Sequence, residues 1–184
     1  MRILKGFVYL AVILDLFSRK AIGHALSMRI DKGLTLAALQ MAIQMRQPVH
    51  GCIHHSDRGV QYAAHDYVDC LKAHGLQISM SRKGNVYDNA TAESFMKTYK
   101  YEEVYLSEYV TFNDVAKNTP RFIEDVYNRK RLHSSIGYMP PNEFEEVWLE
   151  KQTQENIQEN KTRFLRKLAI LQNFQCNQKS KSQT

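Results

Sequence analysis

Phe7-Val8-Tyr9-Leu10-Ala11-Val12-Ile13-Leu14 is the longest apolar run in this chain, and it constrains the fold more than any other feature. Eight residues are far short of the roughly 20 that a membrane helix needs. They are also few for a helix of ordinary length, and they are rich in β-branched and aromatic side chains. The run therefore reads as a buried strand. Lys5-Gly6 before it marks a hairpin tip. Lys20 to Leu26 reads as a second strand after a turn at Phe17-Ser18-Arg19. A hairpin buried on both faces needs layers to cover it, and helical segments downstream can supply them.

Asp31 is placed to cap a helix through roughly Met45, with Leu34, Ala37, Ala38, Met41 and Met45 on one stripe and Pro48 to end it. Val49 to His54 reads as a short strand leading into Ser56-Asp57-Arg58-Gly59. A helix over roughly Ala63 to Ala73, closed by Gly75, comes next, and then a strand over Leu76 to Met80. Ser81 to Tyr87 is a polar, glycine-containing loop. Asp88 or Asn89 can cap a helix that runs to about Leu106. Another helix extends from Phe112 to about Asn128, bent at Pro120, and a short one lies around Trp148. The expected fold is α/β, a mixed sheet flanked by helices.

From about Lys151 the composition turns to Gln, Asn and Lys. Residues 1–147 read as the core, and 148–184 as a basic, Gln/Asn/Lys-rich tail, helical or disordered. Within the tail, Thr162 to Leu171 has the pattern of a basic amphipathic helix, and Asn177 to Thr184 reads as disordered. Hydrophobic residues at 43% exclude disorder throughout. Met1 to Gly6 lacks the apolar stretch of a signal peptide. Cys52, Cys70 and Cys176 form no pair at metal or disulfide spacing, so a reducing cytoplasm is the expected compartment. The net charge of +6 favours a polyanionic partner.

Two acids stand out by position. Asp57 follows a strand end, where α/β sheets meet their ligands. Glu93 falls in the first turns of a helix, whose positive end favours a carboxylate. Together they suit Mg²⁺, a hard ion that takes oxygen ligands. On their own they are weak evidence, and an N-cap helper and a solvated loop acid are the better explanation. Lys97 and Lys100 lie four and seven residues beyond Glu93, on the same helical face. An acid holding a metal with ammonium groups behind it suits a phosphodiester backbone. The plain alternative is a Glu-Lys helix pair.

Three blocks carry a resemblance. They are His55-Ser56-Asp57-Arg58-Gly59-Val60-Gln61-Tyr62, then Ser79 to Asn85 leading to Asp88-Asn89-Ala90-Thr91-Ala92-Glu93-Ser94-Phe95, and last Tyr127-Asn128 with Arg131, His133, Gly137-Tyr138 and Pro141. Leu14-Asp15-Leu16-Phe17-Ser18-Arg19 fits as well. In this order and spacing they resemble the integrase core of DDE-type insertion-sequence transposases, relatives of retroviral integrases, over roughly Gly6 to Phe144. The resemblance implies a ribonuclease-H-like fold and DNA cleavage and strand transfer by two Mg²⁺ (or Mn²⁺) ions, roughly 3.5–4 Å apart in such sites. It makes Asp57 and Glu93 the second and third catalytic, metal-binding acids. Lys100 and Lys97 become contacts to the DNA end, and Arg58, Arg82 and Lys83 loop residues beside the site. Asn89 becomes a helix cap, His55 a hydrogen-bonded strand-end histidine, and the Tyr127 to His133 block a brace for the last helix.

The family's first acid lies on its first, central strand, in a Trp-x-x-Asp-x-Thr block. Only Met1 to Leu4 correspond to the end of that strand, so the expectation is an incomplete triad, an inactive fragment and a sheet lacking its central strand. Two alternatives stand beside it. One is a non-catalytic DNA-binding module that interferes with a full-length transposase by joining its oligomer. The other is a nuclease in which Asp15, on the second strand, replaces the first acid. The implied partners are transposon-end and target DNA and further copies of the protein or a full-length relative, with no membrane.

Overall fold

The computed structural model describes the backbone of residues 1–4, 6–57, 59–81 and 89–179, and side chains within these as far as 159 and at 161. The chain divides into two compact units, Met1–Asn142 and Glu143–Thr184. The second unit is helical and is built by α5 (Pro141–Lys179), which runs through the segments read from sequence as a short helix and a separate tail. The helix continues into the segment read as disordered, over Asn177 to Lys179, and residues 180–184 lie outside the described residues.

The first unit opens with two short strands, β1 (Arg2–Ile3) and β2 (Gly6–Phe7), paired antiparallel. The ladder extends one step further, since the Val8 N–H donates to the Met1 carbonyl at 2.8 Å. β3 (Tyr9–Leu14) and β4 (Ala21–Ser27) follow as the antiparallel hairpin expected from the apolar run, with a bulge at Ile13/Leu14. Their turn is held by Asp15, whose Oδ1 accepts from the Phe17 N–H at 2.8 Å and whose Oδ2 lies 3.1 Å from the Arg46 guanidinium.

α1 (Lys32–Arg46) starts at Asp31, whose Oδ1 accepts from the Leu34 N–H at 3.0 Å. It covers one face of the hairpin through Leu34 and Ala38 against Ala11. The close approach of β4 to α1 depends on Gly23, where a β-carbon would lie 2.2 Å from the Ala38 carbonyl oxygen. β5 (Ile53–Ser56) and β6 (Gln77–Met80) pair in parallel around α2 (His65–Ala73), whose Tyr67 and Leu71 pack on Leu39. β5 starts four residues later than the sequence suggests, because Val49 to Gly51 form a turn there.

α3 (Ala90–Tyr99) covers the other face of the hairpin. Phe95 and Tyr99 pack with Phe122, Ile123 and Tyr127, and Leu10, Val12 and Leu14 lie against this cluster. Asn89 takes the N-cap position but makes no side-chain cap bond. The helix does not run on as α to Leu106; Lys100–Val104 is a π-helical turn. α4 (Phe112–Arg121) starts with a capping box between Thr111 and Asp114. Pro120 cannot donate to a carbonyl one turn back, and Phe122–Asn128 after it is π-helical.

Among the described residues the strands form three two-stranded sheets, β1-β2, β3-β4 and β5-β6. Between β3 and β5 lies a cavity of about 1110 Å³, lined along one side by Leu10 to Phe17 and along the other by Cys52 to Asp57.

Candidate active site

Asp57 is the first residue after β5, at its carboxyl end. It is exposed, and its Oδ1 accepts from the Gly59 N–H at 2.8 Å, which fixes the carboxylate over its own turn. A β-carbon on Gly59 would lie 2.9 Å from that oxygen and 3.0 Å from the Gln61 amide oxygen, so the turn is built around the missing side chain. Burial, and then the Asp57 charge, push the Tyr62 phenol above its ordinary value.

Glu93 lies in the first turn of α3, near the positive end of the helix, and is exposed. Asp57 and Glu93 both line the cavity between β3 and β5, with His55, Asn89, Thr91 and Met96. Two carboxylates presented to one space, from a strand end and a helix start, are oxygen donors of the kind a hard divalent cation takes. No group of three His, Cys, Asp or Glu placed to hold a metal ion occurs among the described residues.

Lys97 and Lys100 are exposed on the same helical stretch. Lys100 lines a smaller cavity, about 310 Å³, together with Asp57, Met1, Gln61 and Tyr62. Burial, and then the positive charge of Lys100, hold the Met1 amine below its ordinary value. Arg58, Arg82 and Lys83 lie outside the described residues. Asp15 also lines the larger cavity, but both its oxygens are engaged by the turn amides and Arg46.

His54 and His55 are structural in their contacts. Both ring nitrogens of His55 meet hydroxyls, Nδ1 with Ser79 at 2.9 Å and Nε2 with Ser81 at 3.1 Å. His54 Nε2 lies 2.9 Å from the Tyr67 hydroxyl, and burial, reinforced by His55, lowers its pKa to about 4. Asn128 is fully buried; its Oδ1 accepts from the Ala21 N–H at 2.9 Å and its Nδ2 donates to the Ala21 carbonyl at 3.0 Å.

One contact is not foreseeable from sequence. Arg19, in the left-handed conformation at φ 66°, donates to the Thr91 hydroxyl at 2.9 Å. It ties the β3-β4 turn to the first turn of α3, two residues from Glu93. The Phe-Ser-Arg turn motif carries the signal, but its partner is 72 residues away.

Three solved structures share the fold. Superposition on a chain of the simian T-cell lymphotropic virus intasome in complex with PP2A regulatory subunit B56 gamma gives a TM-score of 0.63 at 13% identity, over 78% of this chain and 50% of that one. The catalytic core domain of BIV integrase gives 0.52 at 18% identity, over 80% and 89%. The HTLV-2 integrase catalytic core in complex with magnesium gives 0.50 at 11%, over 77% and 86%. The fold is therefore that of the ribonuclease-H-like integrase catalytic cores.

The sequence narrows this further. The family pattern described as Integrase core domain matches residues 1–86, and a second of the same description matches residues 74–141. The transposase for insertion sequence element IS904 of Lactococcus lactis is 41% identical over 141 residues, 77% of this chain and 56% of its own length. Transposase InsF for insertion sequence IS3A of Escherichia coli is 42% identical, over 77% and 49%. An insertion element IS600 protein of Shigella sonnei is 42% identical, over 78% and 53%. The chain belongs to the integrase core family of DDE-type insertion-sequence transposases. It spans about half the length of these relatives. No helix among the described residues is long and apolar enough to cross a membrane.

Proposed function

We propose that this chain is the catalytic core of a transposase that cuts and joins DNA, and that Asp57 and Glu93 are its metal-binding acids. The observation that carries the reading is their placement: each is exposed, and both open on one cavity from different elements. When Mg²⁺ or Mn²⁺ is bound, it supplies Lewis acidity at the phosphodiester and lowers the pKa of attacking water or a 3′-hydroxyl.

The residues of the chain supply position and charge. Asp57 and Glu93 would hold the metal, with Asp57 oriented by the Gly59 amide. Lys97 and Lys100 set ammonium groups beside the acids, where flanking phosphates would lie. The Arg19-Thr91 bond fixes the start of α3 and hence the base of Glu93. Two carboxylates make a weak grip for two ions, and a third oxygen ligand would be needed for full activity. Multimers of this chain, or assemblies with a longer relative, are the working form we infer, since two DNA ends are joined.

Mn²⁺ titration followed by electron paramagnetic resonance tests the site. Asp57→Asn and Glu93→Gln should each weaken binding at least tenfold. Unchanged affinity in both variants would remove the metal assignment. A second reading, a DNA-binding module without catalysis, rests on the exposed lysine face of α3 and its π extension. It would be favoured if Asp57→Asn left salt-dependent DNA binding intact while no Mg²⁺-dependent strand transfer occurred in the parent chain.

A further inference from the structure

We propose that His55 is a positioning residue for Asp57: its imidazole, held as one tautomer between two serines, fixes the peptide group that precedes the acid. This role rests on the reading of Asp57 as a metal ligand, and it adds a residue that acts on that ligand without touching the metal.

Strand periodicity places the parts. Side chains two residues apart share a face, so His55 and Asp57 look the same way from the end of β5, and both line the larger cavity. His54 turns to the opposite face and meets Tyr67 there. In the parallel ladder His55 stands opposite Ser79. Ser81, two residues further, returns to the same face, level with Asp57, and its N–H extends the ladder to the Ser56 carbonyl at 2.9 Å. Ser81 is buried, with 8% of its surface exposed, so its hydroxyl answers to protein groups rather than to bulk water. The His55 ring spans both hydroxyls, Nδ1 at Ser79 and Nε2 at Ser81.

Counting protons gives the chain a direction. A serine hydroxyl has one proton to donate and lone pairs to accept with. The Ser81 hydroxyl donates to the Ser56 carbonyl, a long bond at 3.4 Å. Toward His55 it is therefore an acceptor, and Nε2 carries the ring proton. In the neutral ring Nδ1 then accepts from the Ser79 hydroxyl. The order runs from Ser79 O–H to Nδ1, from Nε2–H to Ser81 Oγ, and from Ser81 O–H to the Ser56 carbonyl.

The chain of bonds ends on the peptide that joins Ser56 to Asp57. Its carbonyl receives both the N–H and the hydroxyl of Ser81. A peptide group is planar, so pinning its oxygen sets the direction of the Asp57 N–Cα bond as well. Asp57 needs that support. It is exposed, and among the described residues its carboxylate bonds only to the Gly59 N–H ahead of it. The Gly59 turn holds the carboxylate from one side and the His55 chain holds its backbone from the other. Groups behind a metal ligand orient it in this way, and their loss weakens metal binding without removing a donor.

The test is nuclear magnetic resonance on the full chain at about pH 8, where an ordinary imidazole is neutral, with Mn²⁺ titration of the same samples. Side-chain nitrogen spectra of the parent should show His55 as the Nε2–H form. Ser81→Ala should let the Nδ1–H form appear, since Ser79 can accept as well as donate, whereas Ser79→Ala should leave the Nε2–H form in place. The Gly59 amide resonance reports the bond to Asp57. It should move in His55→Gln and in Ser81→Ala, and Mn²⁺ affinity should fall about three- to tenfold in each, on the order of one hydrogen bond. The double variant should bind no worse than the weaker single one, because both break the same chain of bonds. Ser81→Thr, which keeps the hydroxyl, should restore the parental values. A mere brace between β5 and β6 would lower the unfolding midpoint and leave the Gly59 resonance and Mn²⁺ affinity unmoved, and that result would overturn the proposal. So would losses that add in the double variant, or an Nδ1–H ring in the parent. If Asp57→Asn left Mn²⁺ binding unchanged, the metal reading would fall by itself, and the Gly59 resonance would still decide whether His55 orients the acid.

Discussion

The Gly59 main-chain N–H donates to Asp57 Oδ1 across 2.8 Å, so the acid at the end of β5 is held by its own loop. The space a β-carbon would need on Gly59 is taken by that same oxygen, 2.9 Å away, and by the Gln61 amide oxygen at 3.0 Å. Gly59→Ala should therefore turn the carboxylate without touching the core. We expect Mn²⁺ affinity to fall several-fold while the thermal midpoint stays within about 2 °C, the shift of a change below 0.5 kcal/mol. Titration and a melting curve on the same sample check both halves.

Asn128 is a stability prediction. It gives and takes one hydrogen bond with the main chain of Ala21 while fully buried. Asn128→Ala strands an N–H and a carbonyl in the interior and should cost about 2–4 kcal/mol. Asn128→Asp keeps the acceptor and loses the donor, so it should be destabilised as well. Urea denaturation of the three proteins orders them.

Gly23 tests the contact between β4 and α1. A methyl group there would sit 2.2 Å from the Ala38 carbonyl oxygen and 2.8 Å from the Ala42 β-carbon. Neither neighbour is the end of a flexible side chain, so backbone must move. Gly23→Ala should cost at least about 1–3 kcal/mol, as overpacking does. An unaltered unfolding midpoint would show that the two elements are not in close contact in solution.

His54 makes stability depend on pH. Burial, and then His55, hold its pKa at about 4 in the folded chain, against 6.5 when exposed. The unfolded chain therefore binds the extra proton first. The contribution is fully present above about pH 6.5 and is lost as pH falls toward 4, by about 3 kcal/mol at most. Unfolding measured between pH 7 and 4.5 should show this slope, and His54→Gln should flatten it.

Lys97 and Lys100 should act on phosphate as point charges. Replacing each with alanine should weaken DNA binding on all sequences alike and reduce the slope of log K against log salt by about 1 per lysine. Filter binding at several salt concentrations measures it. A slope that does not change would separate these lysines from the DNA surface.

Local chemistry makes much of the fold readable. The Asp31 cap, the β3-β4 hairpin and α2 with its Gly75 close all depend on neighbours within a few residues. Thr111 with Asp114 has the spacing of a capping box, a local signal that the more conspicuous Pro120 overshadows. The two π-helical turns are not readable, because they answer to packing around Phe95, Tyr99 and Phe122 rather than to propensity. The site is legible as two acids at meaningful ends of elements. Their shared cavity, and the Arg19-Thr91 tie beside it, are long-range facts that no local pattern encodes. Nor can the apolar run alone reveal that one edge of β3 faces open space.

The widened turn after Pro120 has a rotational effect on everything that follows it. Each π turn holds about one residue more than an α turn, and one residue on a helix is about 100° of azimuth. Were Phe122–Asn128 wound as regular α-helix, the amide of Asn128 would be swung out of phase with β4 by roughly a quarter of a circle. The wide turn thus sets the angular timing by which a polar side chain reaches a strand more than a hundred positions earlier in the chain.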